Sequence, residues 1–134
     1  LQVPIILSDV NPLMQFDEIV LVEPGEDGSV FGDPDFYDYV IVEGSKDGGT
    51  TWQSLLNGYD ARARNEWLST YNGGLSGQNS AAVGTPSLYR KRAVNMTQNG
   101  NFDAGETILI RFRLFADPAA HGWGWAIDNL FIQD

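Results

Sequence analysis

Six carboxylates crowd one short stretch of this chain. Glu23, Glu26, Asp27, Asp33, Asp35 and Asp38 fall within sixteen residues, interleaved with glycine and proline. Irregular loops of that composition offer what a calcium ion asks for, six to eight oxygens from carboxylates, carbonyls and water. The spacing does not follow D-x-[DN]-x-[DN]-G, so the loop is no EF-hand. A seventh acid, Asp128, sits in an otherwise apolar segment, where a carboxylate needs a metal, a run of backbone N–H groups or a cation such as Arg111. The metal-ligand candidates are therefore Glu23, Asp33, Asp35, Asp38 and Asp128, and the ion they imply is a structural Ca2+.

A second set of residues suits sugar recognition. His121-Gly122-Trp123-Gly124-Trp125 reads as an aromatic loop, and Tyr59, Trp67, Tyr71 and Tyr89 punctuate the middle of the chain. Exposed aromatic faces are platforms for pyranose rings, whereas the same rings turned inward are ordinary core. Trp123, Trp67 and Tyr89 are the ligand-binding candidates.

Nothing in the sequence assembles a catalytic centre. One histidine and no cysteine leave no zinc set, and no nucleophile, base and orienting group fall into a recognisable spacing. G-x-S-x-G, H-E-x-x-H and phosphate-binding glycine loops are missing. Glycosidase chemistry needs two carboxylates at a set separation, but among eighteen acids some pair always qualifies, so the count carries no weight.

The elements that must position these groups read as β-structure. Leu13 to Glu23 is rich in β-branched residues and predicts a strand. A Gly/Asp/Pro loop follows over 23–35. Tyr37 to Gly44 predicts the next strand, Asp47-Gly48-Gly49 a hairpin turn, and Trp52 to Leu56 the return. Asp60 to Tyr71 predicts a short helix with Trp67 and Leu68 inward, and 72–87 a long loop. Ala93 to Thr97 predicts a strand. Glu106 to Ala116 alternates most cleanly, with Ile108, Ile110, Phe112 and Leu114 on one face and Leu109, Arg111, Arg113 and Phe115 on the other. Trp125 to Gln133 is the last strand. Arg111 and Arg113 then share a strand face, to be paired by acids of neighbouring strands or to recognise an anion. Strands divided by polar turns, without alternating long helices, predict a single all-β domain, an antiparallel β-sandwich.

Bulk properties exclude several classes. The chain has 134 residues with 43% hydrophobic side chains, enough for one core without metals or disulfides. Residues 1–50 hold eleven acids against Lys46 alone, and the remainder is neutral, for a net charge of −10. Such a field repels phosphate backbones and anionic lipid, so nucleic-acid binding is not expected. No apolar run nears the roughly 18 residues of a membrane span, so no membrane insertion is expected. The opening Leu1-Gln2-Val3-Pro4 has neither a basic start nor a long apolar stretch, and the chain is expected to be a piece of a longer protein.

Two stretches together carry a resemblance: DYVIVEGSKDGGTTWQSL, residues 38–55, and FDAGETILIRFRLFADPAAHGWGWAIDNLFI, residues 102–132. The pairing resembles the jelly-roll modules of large secreted and cell-surface bacterial proteins, MAM-like and cleaved-adhesin-like, above all those exported by the Bacteroidetes type IX secretion route. It is marked by the DGG-T-W hairpin and by a closing strand with Trp125, Ile127, Asp128, Asn129 and Ile132. The resemblance implies a jelly-roll-like sandwich, secreted or at the cell surface. It implies a binding or adhesion role towards a polysaccharide or protein surface, beside other domains of the same protein. Calcium occurs in some relatives, and the analogy brings Asp38 and Asp128 together near the start of the closing strand. Such modules carry a further strand or two before the segment that begins here. A structural or assembly subunit completed by a partner strand is therefore the alternative, and an accessory domain of a secreted hydrolase the weaker one. SKDGGTTW, residues 45–52, also fits the Asp-box pattern of sialidases. There the box repeats around a propeller, so a single copy implies a structural hairpin.

Overall fold

In the computed structural model, which describes residues 1–133, nine strands and one helix form an all-β sandwich of antiparallel sheets. The first sheet joins β1 (Ile5–Ile6), β8 (Thr107–Phe115), β3 (Tyr39–Ser45) and β4 (Gln53–Tyr59), in that order. The second joins β7 (Arg90–Asn95), β2 (Leu13–Leu21) and β9 (Gly124–Ile132). A two-residue hairpin, β5 (Leu75–Ser76) and β6 (Asn79–Ser80), interrupts the expected loop. The helix α1 (Asn65–Gly73) starts later than the sequence suggests, because Asp60 first caps a 3-10 turn over Ala61–Ala63 through the Arg62 N–H.

The alternation of β8 does what the pattern predicts at its start. Ile108 and Ile110 are buried between the sheets with Met14, Phe16, Val42 and Phe102. Phe16 meets Phe112 edge-on at 5.4 Å and Trp125 at 6.4 Å, stitching β2, β8 and β9 together. The other face of the second sheet is covered by α1, which buries Trp67 and Tyr71 against Ile19 and Leu21. No helix among the described residues is long and apolar enough to cross a membrane.

Polar side chains inside this frame are paired across it. Glu18, 1% exposed, reaches from β2 to the facing sheet. It accepts hydrogen bonds from the Tyr59 hydroxyl (2.7 Å), the Trp125 indole N–H (3.0 Å) and Arg92 Nε (2.8 Å). Glu43 accepts from Arg111 Nε (2.6 Å) and, with both oxygens, from Arg113 (3.0 Å each). The two arginines are thus paired by a neighbouring strand.

The hairpin of residues 45–52 is structural and local. Gly48 and Gly49 take positive φ, 71° and 94°, as the turn requires. The Thr51 hydroxyl donates to Asp47 Oδ2 (2.5 Å), and Asp47 Oδ1 accepts from the Thr51 N–H (2.8 Å) and the Ser45 hydroxyl (2.7 Å); together they hold its carboxyl down at about 2. Trp52 donates its indole N–H to the Gly49 carbonyl at 3.0 Å and lies under the Arg111 guanidinium at 4.2 Å.

Candidate metal centre

Antiparallel pairing brings four chain segments to one end of the sandwich. β2 and β8 finish there, while β3 and β9 begin there. Glu23 lies just past β2, Asp38 immediately before β3 and Asp117 just past β8. One carboxylate oxygen from each of these three falls within 4.8 Å of the others. Residues that are far apart in sequence meet because they occupy equivalent strand ends.

The loops carrying them are held from outside the cluster. Asp60 Oδ2 accepts the Gly25 N–H at 3.0 Å, and the Arg62 guanidinium clasps the same carboxylate at 2.8 Å. The Glu26 N–H donates to the Asp35 carbonyl at 3.0 Å, closing the acidic loop on itself. The β9 side is fixed by Gly122, where an added Cβ would lie 2.5 Å from the Leu21 carbonyl oxygen and 3.0 Å from Tyr71 Cε2.

The electrostatics are unbalanced. Asp38 is 3% exposed. Glu23 Oε2 and the Tyr71 hydroxyl are both buried without a hydrogen-bond partner among the described residues. Burial, and then the charges of Asp117, Asp38 and Glu26, push the Glu23 carboxyl up to about 7. Burial also raises Asp38, with the Asp117 charge adding to it and the Asp117 N–H opposing it. Tyr71 is pushed up to about 12 by burial and by the Glu23 and Asp38 carboxylates. Among the described residues, every salt bridge lies elsewhere. Three acids without a lysine or arginine, beside two orphaned buried oxygens, have the electrostatic and hydrogen-bonding deficit that a cation fills. The donor set is all oxygen, which suits Ca2+ and not a zinc ion wanting imidazole or thiolate.

The expected ligand set is thereby revised. Glu23 and Asp38 do converge. Asp33 and Asp35 do not join them: Asp33 Oδ2 accepts the Val30 N–H at 2.9 Å in an exposed turn, and Asp35 is exposed. Asp128 is not beside Asp38. It sits in mid-β9 opposite Asp17, exposed, and accepts the Asn129 N–H at 2.8 Å where the strand kinks with Asn129 at φ 51°. The third member of the cluster with Glu23 and Asp38 is instead Asp117, whose signal in the sequence is an Asp-Pro pair ending the clearest strand.

The aromatic candidates also separate. Trp67 is 0% exposed and donates its indole N–H to the Leu88 carbonyl at 2.8 Å, so it is core and no platform. Tyr89 is half-buried against the cluster under α1. Trp123 alone stays open, at 41%, with its ring lying on the Gly84 backbone. The helical face that buries Trp67 was legible, but a choice between core and platform needs the neighbouring layer.

Comparison with protein-family models gives no match, and no curated protein or solved structure matches the chain.

Proposed function

We propose that the chain is a non-catalytic extracellular module, jelly-roll-like and of the secreted or cell-surface kind, that binds a polysaccharide or protein surface. A structural Ca2+ held by Glu23, Asp38 and Asp117 locks its loop rim. The observation that carries this reading is the convergence of three carboxylates beside a buried Glu23 oxygen that no group among the described residues satisfies. A bound cation would tie the ends of β2, β3 and β8 together and hold the rim on which Trp123 is displayed.

A hydrolytic reading fits less well. Paired carboxylates beside a Glu held near neutral pH resemble a general acid with its partner. The hollow at Asp38 and Asp117 has a volume of only about 140 Å3, against roughly 300 Å3 or more for a small-molecule site. Glu23 is not among the residues that line that hollow.

Melting in excess calcium and in chelator at pH 8 tests the proposal. A rise of several degrees with calcium, lost in Asp38→Asn, is expected by mass action. Equal melting in both conditions overturns the metal centre.

A second reading, a surface assembly subunit completed by a partner strand, is favoured by one observation. β1 pairs with only Thr107 and Ile108 of β8, and beyond them Leu114 and Phe115 are each 42% exposed. Light scattering after size exclusion separates the two: a concentration-dependent dimer or polymer supports assembly, and a monomer up to millimolar concentration opposes it.

A further inference from the structure

Away from the rim, β4 and β7 flank a cleft of about 400 Å3 between the edges of the two sheets. Its floor is the core itself, Leu55 and Val94, each 3% exposed. Its walls carry four carboxamides, Asn57, Asn95, Gln98 and Asn99. No charged residue among those described lines it, in a chain of net charge −10.

Asn57 and Asn95 are held by one end and left free at the other, whereas Asn99 is held by both ends, its Oδ1 accepting the Asn101 N–H at 3.3 Å. Asn57 Oδ1 accepts the Ser54 hydroxyl at 2.9 Å. Asn95 Oδ1 accepts the Thr97 N–H (3.1 Å) and hydroxyl (3.0 Å). Asn99 Nδ2 donates to the Ser54 carbonyl at 2.6 Å. The NH2 groups of Asn57 and Asn95 make no side-chain hydrogen bond within the described residues, and neither does either end of Gln98. Pinning one end of a side chain orients the other and lowers the entropy lost on binding.

We infer that this cleft binds a neutral saccharide, one or two sugar units of a glycan chain. A carboxamide offers a donor and an acceptor side by side, matching hydroxyls that both donate and accept. The accessible apolar lining, Leu56 and Ala93 above the buried floor, takes the C–H face of a pyranose. The volume lies within the range of small-ligand sites, and the uncharged walls leave a uronate or sulfate group without a counterion. This assignment rests on the reading of the chain as a binding module, but it shares no residue with the metal centre.

The test is a titration of isotope-labelled protein with neutral hexasaccharides of the glucan, mannan, xylan and galactan types, with hexagalacturonate as the acidic control. The protein is made in a host without N-glycosylation, since Asn95-Met96-Thr97 is a sequon and a glycan there would sit on the cleft. At least one neutral oligosaccharide is expected to move the side-chain NH2 signals of Asn57, Asn95 and Gln98. Asn57→Ala with Gln98→Ala is expected to weaken that binding tenfold or more while the melting temperature is kept. Shifts confined to the Trp123 indole, a preference for the acidic chain, or no binding in the whole series each overturn the cleft assignment. None of these outcomes touches the calcium-dependent melt, so the two proposals fail separately.

Discussion

Asp38 Oδ1 accepts the backbone N–H of Asp117 at 2.9 Å, a bond across 79 positions that ties the start of β3 to the end of β8. It holds two carboxyl groups of like charge close together in a buried place. That arrangement is costly unless protons or a cation offset it. The pH dependence of the protein follows from this.

Glu23 carries the clearest signal. Its folded value, about 7, lies above its ordinary 4.5, so between those limits the folded state holds a proton that the unfolded chain has released. Stability without metal is therefore full below about 4.5, falls as pH rises to about 7 and is flat above. A cation needs the carboxylate, so calcium is expected to raise the melting temperature more at pH 8 than at pH 5, the gap closing in Glu23→Gln. Thermal melts at the two pH values check this, and an equal calcium effect at both refutes it.

Gly122→Ala probes the same rim from β9. Its new methyl would meet the Leu21 carbonyl and the Tyr71 ring, an overpacking that costs about 1–3 kcal/mol. Urea denaturation is expected to show that loss, and calcium stabilisation to weaken with it, because the end of β2 at Leu21, next to Glu23, and the Tyr71 ring must both shift. Gly73→Ala, with open space around it, serves as the control.

Glu18→Gln breaks a buried ion pair between the adjacent strands β2 and β7. The Arg92 guanidinium loses its counter-charge, and the Tyr59 and Trp125 donors keep a weaker acceptor. Removing one partner of a buried pair costs about 3–5 kcal/mol. Equilibrium unfolding in urea measures it; a loss below 1 kcal/mol would show that water replaces the carboxylate.

Two tryptophans should behave in opposite ways. Trp67→Ala empties a fully buried site under α1 and is expected to destabilise by about 3–5 kcal/mol. Trp123→Ala removes a ring that is 41% exposed and is expected to leave the melt within about a degree. A large loss at Trp123 would make it a structural cover over Gly84.

Asp47 reports on the hairpin alone. Its folded value is lowered to about 2 by hydrogen bonds from Thr51 and Ser45, so the order it confers is complete above about 3.8 and lost as pH falls towards 2. Carbon-detected NMR titration of the carboxyl is expected to give a midpoint near 2, and the Thr51 amide signal to broaden over the same interval. A midpoint near 3.8 would mean that the turn is open in solution.

How far the fold was legible varies along the chain, and for physical reasons. β8 was plain because its alternation matches the period of a pleated strand over nine residues. The hairpin was plain because glycine and aspartate declare positive φ and side-chain capping locally. β7 was displaced, since Arg90, Lys91 and Arg92 look like loop yet belong on an edge strand, where charge is tolerated and even useful. β1 has two residues and no pattern of its own; it exists only because β8 offers an edge to pair with.

The sequence by itself determined the all-β character, the strands that carry the core, the hairpin and the excess of acid in the first fifty residues, because each of these is written in local composition and period. Only the tertiary structure decided which acids meet. Asp117 joins Glu23 and Asp38 because antiparallel pairing puts the end of β8 beside the start of β3, whereas Asp128 lies partway along β9 and faces Asp17. Likewise only the packing of α1 on β2 decided that Trp67 is core, and only the gap between β4 and β7 brought four amides around one cleft. Proximity between distant strand ends depends on sheet order and register, and neither has a period that a single strand can display.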